Sequence, residues 1–287
     1  MFFGGRLAAS LLLTFFYRNH AKSATDLLKM NINDYINRIN YRGDLSPTLH
    51  ALRGLQKAHL LNVPFENLAI HYGNSIDLDM DNIYHEIVVK GRGGFCYELN
   101  GVFDTLLKRL GFDSKIISAR VYDNKKEDFG KEYDHLAIIV VLDNIKYLVD
   151  VGFGEFVFYP LKLEINKTQS DPRGDFVIEE YDNKYYQVSK IEGKTKSIEY
   201  IFSEKERAID EFSGMCNYHQ TSPDSHFTQK KLISKPTENG RITITGNTLK
   251  ITKNGEIKEN RPLKEGDYKK QLLRWFNIDE AKIRDSR

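Results

Sequence analysis

Cys96 stands in "GRGGFCYELNGVF", behind Gly91, Arg92, Gly93 and Gly94, and is one of two cysteines in a chain of 287 residues. A thiol at such a backbone corner is either a small buried hydrophobe or a nucleophile aimed into a site. Leu99, Val102, Phe103, Leu106, Leu107 and Leu110 follow at helical steps, and Gly111 closes the run. The pattern puts Cys96 at or just before a helix N-terminus. There the peptide dipoles favour a thiolate, and a neighbouring imidazolium would favour it further.

The imidazole has to come from elsewhere in the chain. "HLAIIVVLD" and "KYLVDVGFG" read as strands joined by the turn-forming Asp143-Asn144, and so as a hairpin. Around that turn Leu136 faces Val151, which brings Asp150 beside His135. An acid at that place can bind one ring nitrogen and hold the other toward a thiol, the orienting role in a catalytic triad. On the residues alone, His135 as a solvated strand-end residue and Asp150 as a turn cap stay open.

Composition narrows the classes. A chain 40% hydrophobic and 12% aromatic can bury a large core and is no disordered polymer. A net charge of +2 argues against a nucleic-acid partner or a polybasic membrane partner. The charge is uneven: residues 228 to 287 carry 15 Lys+Arg against 8 Asp+Glu, a basic third suited to an anionic ligand or to a solvated face. Two cysteines make no disulfide framework, which suits a reducing, cytoplasmic setting, and the eight histidines fall in no metal-binding spacing. Residues 1–29 loosely imitate a secretory signal, but the apolar run Leu7–Phe16 is too short to span a bilayer. Signal, peripheral anchor and translation from a wrong start compete. The last is the expectation, with Met30 opening the patterned region.

The elements that would position these residues fall into blocks. Residues 31 to 110 read as helices: a face of Ile32, Tyr35, Ile36 and Ile39, a helix opened by Ser46-Pro47 and stopped by Pro64, and one capped by Asp81 running through Val89. From Lys115 short β-branched segments take over to about Ser203. A helix over Glu204–Cys216 then leads into "NYHQTSPDSHF". "RITITGNTLKIT" reads as a hairpin with a Gly246-Asn247 turn, and a helix near Tyr268–Phe276 ends the pattern. This order predicts an α+β fold.

At its most chemical residues the sequence resembles the arylamine N-acetyltransferases of bacterial type. "RGGFCYELN" matches the family's cysteine motif at every fixed position. "VPFENLAIHYG" resembles the helical signature before it, and His135 and Asp150, the latter in "VDVGFG", follow in the family's order. The resemblance covers roughly Met30 to Phe276. It implies a helical bundle (30–112) carrying Cys96, a β-barrel (113–203) carrying His135 and Asp150, and an α/β lid (204–287), on a cysteine-protease-like core. It further implies a ping-pong reaction in which Cys96 takes acetyl from acetyl-CoA and passes it to an arylamine or arylhydrazine, with no metal.

Other roles follow from the same resemblance. Phe153 would line the acceptor pocket, and Glu155 in that wall would disfavour anionic acceptors. Tyr218, Thr221 and Ser222 would hold coenzyme A, steered by the basic final third. Gly93 and Gly94 either make a tight turn or let the acyl group approach Cys96, whose N–H is a candidate oxyanion donor. Arg92, Glu98 and Asn100 would brace the site, and Cys216 would pack as a small apolar group. A cysteine hydrolase or amide synthase on the same triad is the rival reading. A binding protein with a structural Cys96 is the third.

Overall fold

The computed structural model describes residues 30–264 and 266–284; the expectations for residues 1–29 lie outside them. Helix α1 (Ile32–Arg38) starts where the Asn31 side chain accepts the N–H groups of Asn33 and Asp34. Helix α2 (Leu49–Asn62) buries Leu52, Leu55 and His59 and ends before Pro64. Its cap is Thr48 rather than Ser46, because Asp44 engages both the N–H and the hydroxyl of Ser46. Strand β1 (Phe65–Glu66) and the single turn α3 (Leu68–His71) follow.

Helix α4 (Met80–Tyr84) is capped by Asp79, not Asp81: the Asp79 carboxylate accepts the N–H groups of Asp81 and Asn82. The expected continuation through Val89 is a wider π-turn, His85–Val89. Arg38 takes the Ile87 carbonyl there at 2.8 Å, the kind of outside contact such bulges accommodate. Helix α5 (Cys96–Arg109) then buries every residue from Cys96 to Leu107. Its apolar face joins α1 and α2 in one core with Leu52, Leu55 and Phe103 fully covered.

The strands form a nine-stranded antiparallel sheet. Its members are β2 (Asp113–Asp123), β3 (Asp128–Phe129), β4 (His135–Leu142), β5 (Ile145–Val149), β6 (Leu161–Lys162), β7 (Gln169–Asp171), β8 (Gly174–Glu180), β9 (Tyr186–Glu192) and β10 (Thr195–Glu206). The order is β6-β5-β4-β2-β10-β9-β8-β7, with β3 added to β2. The end strands meet through a side chain. Gln169 Oε1 accepts the Lys162 N–H, and its Nε2 donates to the Lys162 carbonyl, both at 2.8 Å. One amide side chain stands in for a peptide group at that seam, and the sheet curls into a nearly closed barrel around Phe156, Phe176, Tyr200 and Phe202.

The hairpin register is the expected one from Ile138↔Val149 to Leu142↔Ile145. Both turn residues have positive φ, 51° at Asp143 and 61° at Asn144, which suits a two-residue hairpin turn. Strand β5 stops at Val149, so Leu136 and Val151 are beyond the paired residues.

The expected helix over Glu204–Cys216 is corrected. Strand β10 continues to Glu206, which still pairs with Ile117. A 3-10 turn (Ile209–Phe212), helix α6 (Ser213–Thr221) and the short α7 (His226–Gln229) come after it. A second sheet holds β11 (Leu232–Thr237), β12 (Gly240–Thr245), β13 (Thr248–Lys253) and β14 (Glu256–Pro262), covered by α8 (Asp267–Phe276) and α9 (Glu280–Arg284). Strand β11 also pairs with β1, so this sheet is anchored directly before the cysteine loop.

Close backbone approach explains the glycines of that loop. Phe65 bridges to Gly94, and Glu66 donates its N–H to the Gly94 carbonyl at 2.8 Å. A Cβ on Gly93 would lie 2.0 Å from the Pro64 carbonyl oxygen, and one on Gly94 would meet the Glu98 side chain at 2.8 Å. Neighbouring protein atoms, rather than an incoming acyl group, exclude the side chain. Gly93→Ala is therefore expected to lower stability by about 1–3 kcal/mol in urea unfolding. Gly214→Ala, on α6 with nothing within 4 Å of the added carbon, should instead raise it slightly.

Candidate active site

Cys96 is the first residue of α5 and 4% exposed, yet it lines a cavity of about 780 Å³. That size suits a small-molecule site. The hydrogen bond from the Phe95 N–H to Glu98 Oε2, at 2.9 Å, fixes how the chain enters the helix. Burial pushes the Glu98 carboxyl up to about 8.

His135 starts β4, and Asp150 follows β5 directly. Their side chains meet, with His135 Nε2 2.6 Å from Asp150 Oδ2. Burial by itself would drive the proton off the ring. The charge and hydrogen bond of Asp150, with the adjacent Cys96 sulfur, outweigh it and hold His135 at about 10. The imidazolium form therefore persists through neutral pH. With Nε2 on Asp150, Nδ1 is the ring nitrogen left for the sulfur.

The carboxylate is itself held from four directions. Asp150 Oδ1 accepts from Asn100 Nδ2 and from the Gly152 N–H, both at 2.9 Å, and Oδ2 also takes the Tyr200 hydroxyl at 3.2 Å. Asn100 completes the frame by donating to the Leu136 carbonyl and accepting the Val151 N–H. One side chain on the cysteine helix thus joins β4 to the segment that directly follows β5.

The other expected residues divide. Arg92 is buried and pairs with Glu66 and Glu86, each at 2.8 Å. Phe153 lines the cavity and packs edge-on against His135 at 5.1 Å. Glu155 lines it too, but Arg241 Nε lies 3.5 Å from its carboxylate, so the charge expected to repel anions has a counter-charge beside it. Tyr218 is among the lining residues. Thr221 and Ser222 are not: Thr221 donates to the Asn217 carbonyl, and Ser222 accepts the Asp224 N–H. Helix α6 extends to Thr221, which turns these two side chains onto their own backbone.

Among the described basic residues of the final third, only Arg241 lines the cavity, beside Leu232 and Ser234. The lysines at its wall are Lys125, Lys126 and Lys131, from an earlier segment. Cys216 is buried, and burial raises its thiol to about 12, as fits a packing residue.

Several contributors escape the sequence reading. Arg38 donates to the carbonyls of Ile87, Asn62, Gly91 and Arg92 and so ties the cysteine loop to the bundle. Asn67 bonds Leu232 and the carbonyls of Phe227 and Lys230, which fixes the lid's entry. Gly152 is required because a Cβ would come within 2.8 Å of Cys96 Cα. Its place in "VDVGFG" was visible, but its neighbour was not. Among the described residues no group of three His, Cys, Asp or Glu side chains is arranged to hold a metal, and no helix is long and apolar enough to cross a membrane.

Two predictions follow from the buried pair. Asp150→Asn should leave Cys96 in place but cut single-turnover acylation of Cys96 by a thioester about 10³- to 10⁴-fold, because the ring loses its orienting charge. Because His135 binds its proton more tightly folded than unfolded, its contribution to stability is complete below about pH 6.5. It is lost as pH rises toward about 10. The melting temperature of the wild type should fall more steeply across that window than that of His135→Gln.

The N-acetyltransferase family model matches residues 48–283. The arylamine N-acetyltransferase pineal gland isozyme NAT-10 of Gallus gallus is 33% identical over 87% of this chain and 94% of its own length. Among solved structures, the arylamine N-acetyltransferase of M. tuberculosis superposes with a TM-score of 0.82 at 28% identity, covering 88% of this chain and 96% of that one. The Mycobacterium marinum enzyme in complex with CoA gives 0.81 at 26% identity, covering 89% and 96%. The chain therefore belongs to the arylamine N-acetyltransferase family.

Proposed function

We propose that this protein transfers acetyl from acetyl-CoA to the nitrogen of an arylamine or arylhydrazine, through a thioester on Cys96. The observation that carries the reading is the site itself: a sulfur at a helix start, beside a ring held as imidazolium by Asp150, opening into one cavity. Family membership supports the donor and acceptor classes.

In the first half-reaction the Cys96 sulfur attacks the thioester carbonyl. The bond to the CoA sulfur breaks, and His135 gives that sulfur its proton as CoA leaves. In the second half, the amine nitrogen attacks the acetyl-cysteine and the Cys96 sulfur departs. His135 takes the amine proton, restoring the starting pair. One thioester replaces another, so the first step has little net cost. Aromatic amines are weak bases whose lone pair is free near neutral pH. The Cys96 N–H, in the first turn of α5 where N–H groups have no helical carbonyl, is our candidate oxyanion donor.

We assign Cys96, His135 and Asp150 the catalytic roles, with Phe153 and Glu155 on the acceptor side and Tyr218 on the donor side. Thr221 and Ser222 would support that donor segment from outside the cavity wall. Arg92, Glu98 and Asn100 act as braces, and Gly93 and Gly94 as close-approach positions. The three-part layout of bundle (30–112), barrel and lid is kept as part of the proposal, with the barrel's expected end at 203 moved to Glu206, where β10 stops. A cytoplasmic, metal-free enzyme acting on small molecules rather than nucleic acid or membrane completes it.

Incubation with acetyl-CoA alone should release one equivalent of CoA and add one acetyl group to the peptide containing Cys96. Arylamines should then remove it. Cys96→Ser acetylating aniline-type compounds at the wild-type rate would sink the reading. Steady peptide hydrolysis without CoA would favour the hydrolase instead.

A further inference from the structure

The acceptor side of the cavity holds an acid that the reaction does not use. Glu199 lines the cavity with Val121, Phe153 and Glu155. It arrives there through an irregularity of β10. On the β9 side Ile198 faces Ser189 and Tyr200 faces Val188, so Glu199 is an extra residue with no partner in the ladder. Such bulges re-aim a side chain, and they recur beside active sites. Its neighbours in sequence and space belong to the site. Tyr200 bonds Asp150, faces Val121 across the β2 pairing, and packs against Phe153 at 5.1 Å.

The carboxylates in this wall differ in their surroundings. Glu155 has Arg241 at 3.5 Å. Glu199 is half-buried and has no hydrogen bond or ion pair among the described residues. Burial raises it to about 7, Lys190 works against that rise, and Glu192 and Glu155 add to it. A half-buried acid without a partner is costly to the fold alone, and a ligand can supply the missing charge.

We propose that the bulge at Glu199 makes this carboxylate a specificity-determining residue, selecting aromatic acceptors that carry a positive charge away from the reacting nitrogen and disfavouring anionic ones. The inference deepens the acetyl-transfer reading and rests on it. The aryl ring would lie along Phe153 with its amine toward Cys96 and its far substituent toward Glu199. Glu155 contributes less because Arg241 balances it.

The test uses three acceptors alike in ring and reacting amine: 4-aminobenzyltrimethylammonium, 4-methylaniline and 4-aminobenzoate. Values of kcat/KM are measured for wild type, Glu199→Gln and Glu199→Asp at about pH 8, where the acid is ionised. The ratio of cation to anion should fall about tenfold in Glu199→Gln and stay within about threefold of wild type in Glu199→Asp. Ratios cancel any loss common to all three acceptors and any intrinsic difference among them. A Glu199→Gln ratio within about twofold of wild type overturns the assignment, as does a Glu199→Gln chain that no longer takes acetyl from acetyl-CoA. Failure of the wild type to acetylate any of the three amines would instead remove the acetyl-transfer reading, and this one with it.

Discussion

Asp150 is 1% exposed, and a carboxylate so far from water has to be satisfied wholly by protein donors. The ring of His135, the amide of Asn100, the N–H of Gly152 and the hydroxyl of Tyr200 do this. Each donor comes from a different piece of the fold: the start of β4, helix α5, the loop after β5, and β10. One buried charge therefore ties helix α5 to three segments of the barrel. The same charge keeps the proton on His135 against the pull of burial. Structural support and chemical activation come from one interaction.

A second constraint holds the sulfur. The loop before Cys96 is packed backbone against backbone, with Pro64 and Glu66 on one side and the carbonyls of Gly91 and Arg92 on the other, taken by Arg38. Glu66 sits at the crossing: its carboxylate accepts the Leu68 N–H and pairs with Arg92, while its backbone reaches Gly94 and Ile233. Breaking one partner of a buried ion pair costs about 3–5 kcal/mol, because the other charge is stranded. The second sheet is bound to the loop before Cys96 through these same residues, so that sheet and the sulfur are built as one unit.

The cavity between them joins two chemistries. Lys125, Lys126, Lys131 and Arg241 line it together with Asp123, Asp134, Glu155 and Glu199, so both signs of charge meet in one wall. In a ping-pong exchange an anionic donor and a small aromatic acceptor use such a cavity in turn.

The local grammar of the chain was legible. Periodicity placed α5 and its cysteine, the Asp143-Asn144 turn set the register of β4 on β5, and the order of elements predicted the α+β class. Where local signals competed, the sequence misled. Asp44 captured Ser46 and moved a helix cap, and pairing with β2 drew β10 through residues assigned to a helix. The polar strand β14 lacks the apolar alternation that would announce it, because it lies at a solvated edge of its sheet. By itself the sequence determined which side chains could do chemistry and which elements carry them, since those depend on neighbours a few residues away. Only the tertiary structure decided that Asn100 joins β4 to the segment after β5, that Gly152 lies against Cys96, and that Arg241 balances Glu155 while Glu199 stands alone. Those facts depend on distances between segments far apart in the chain, and it is packing that sets them.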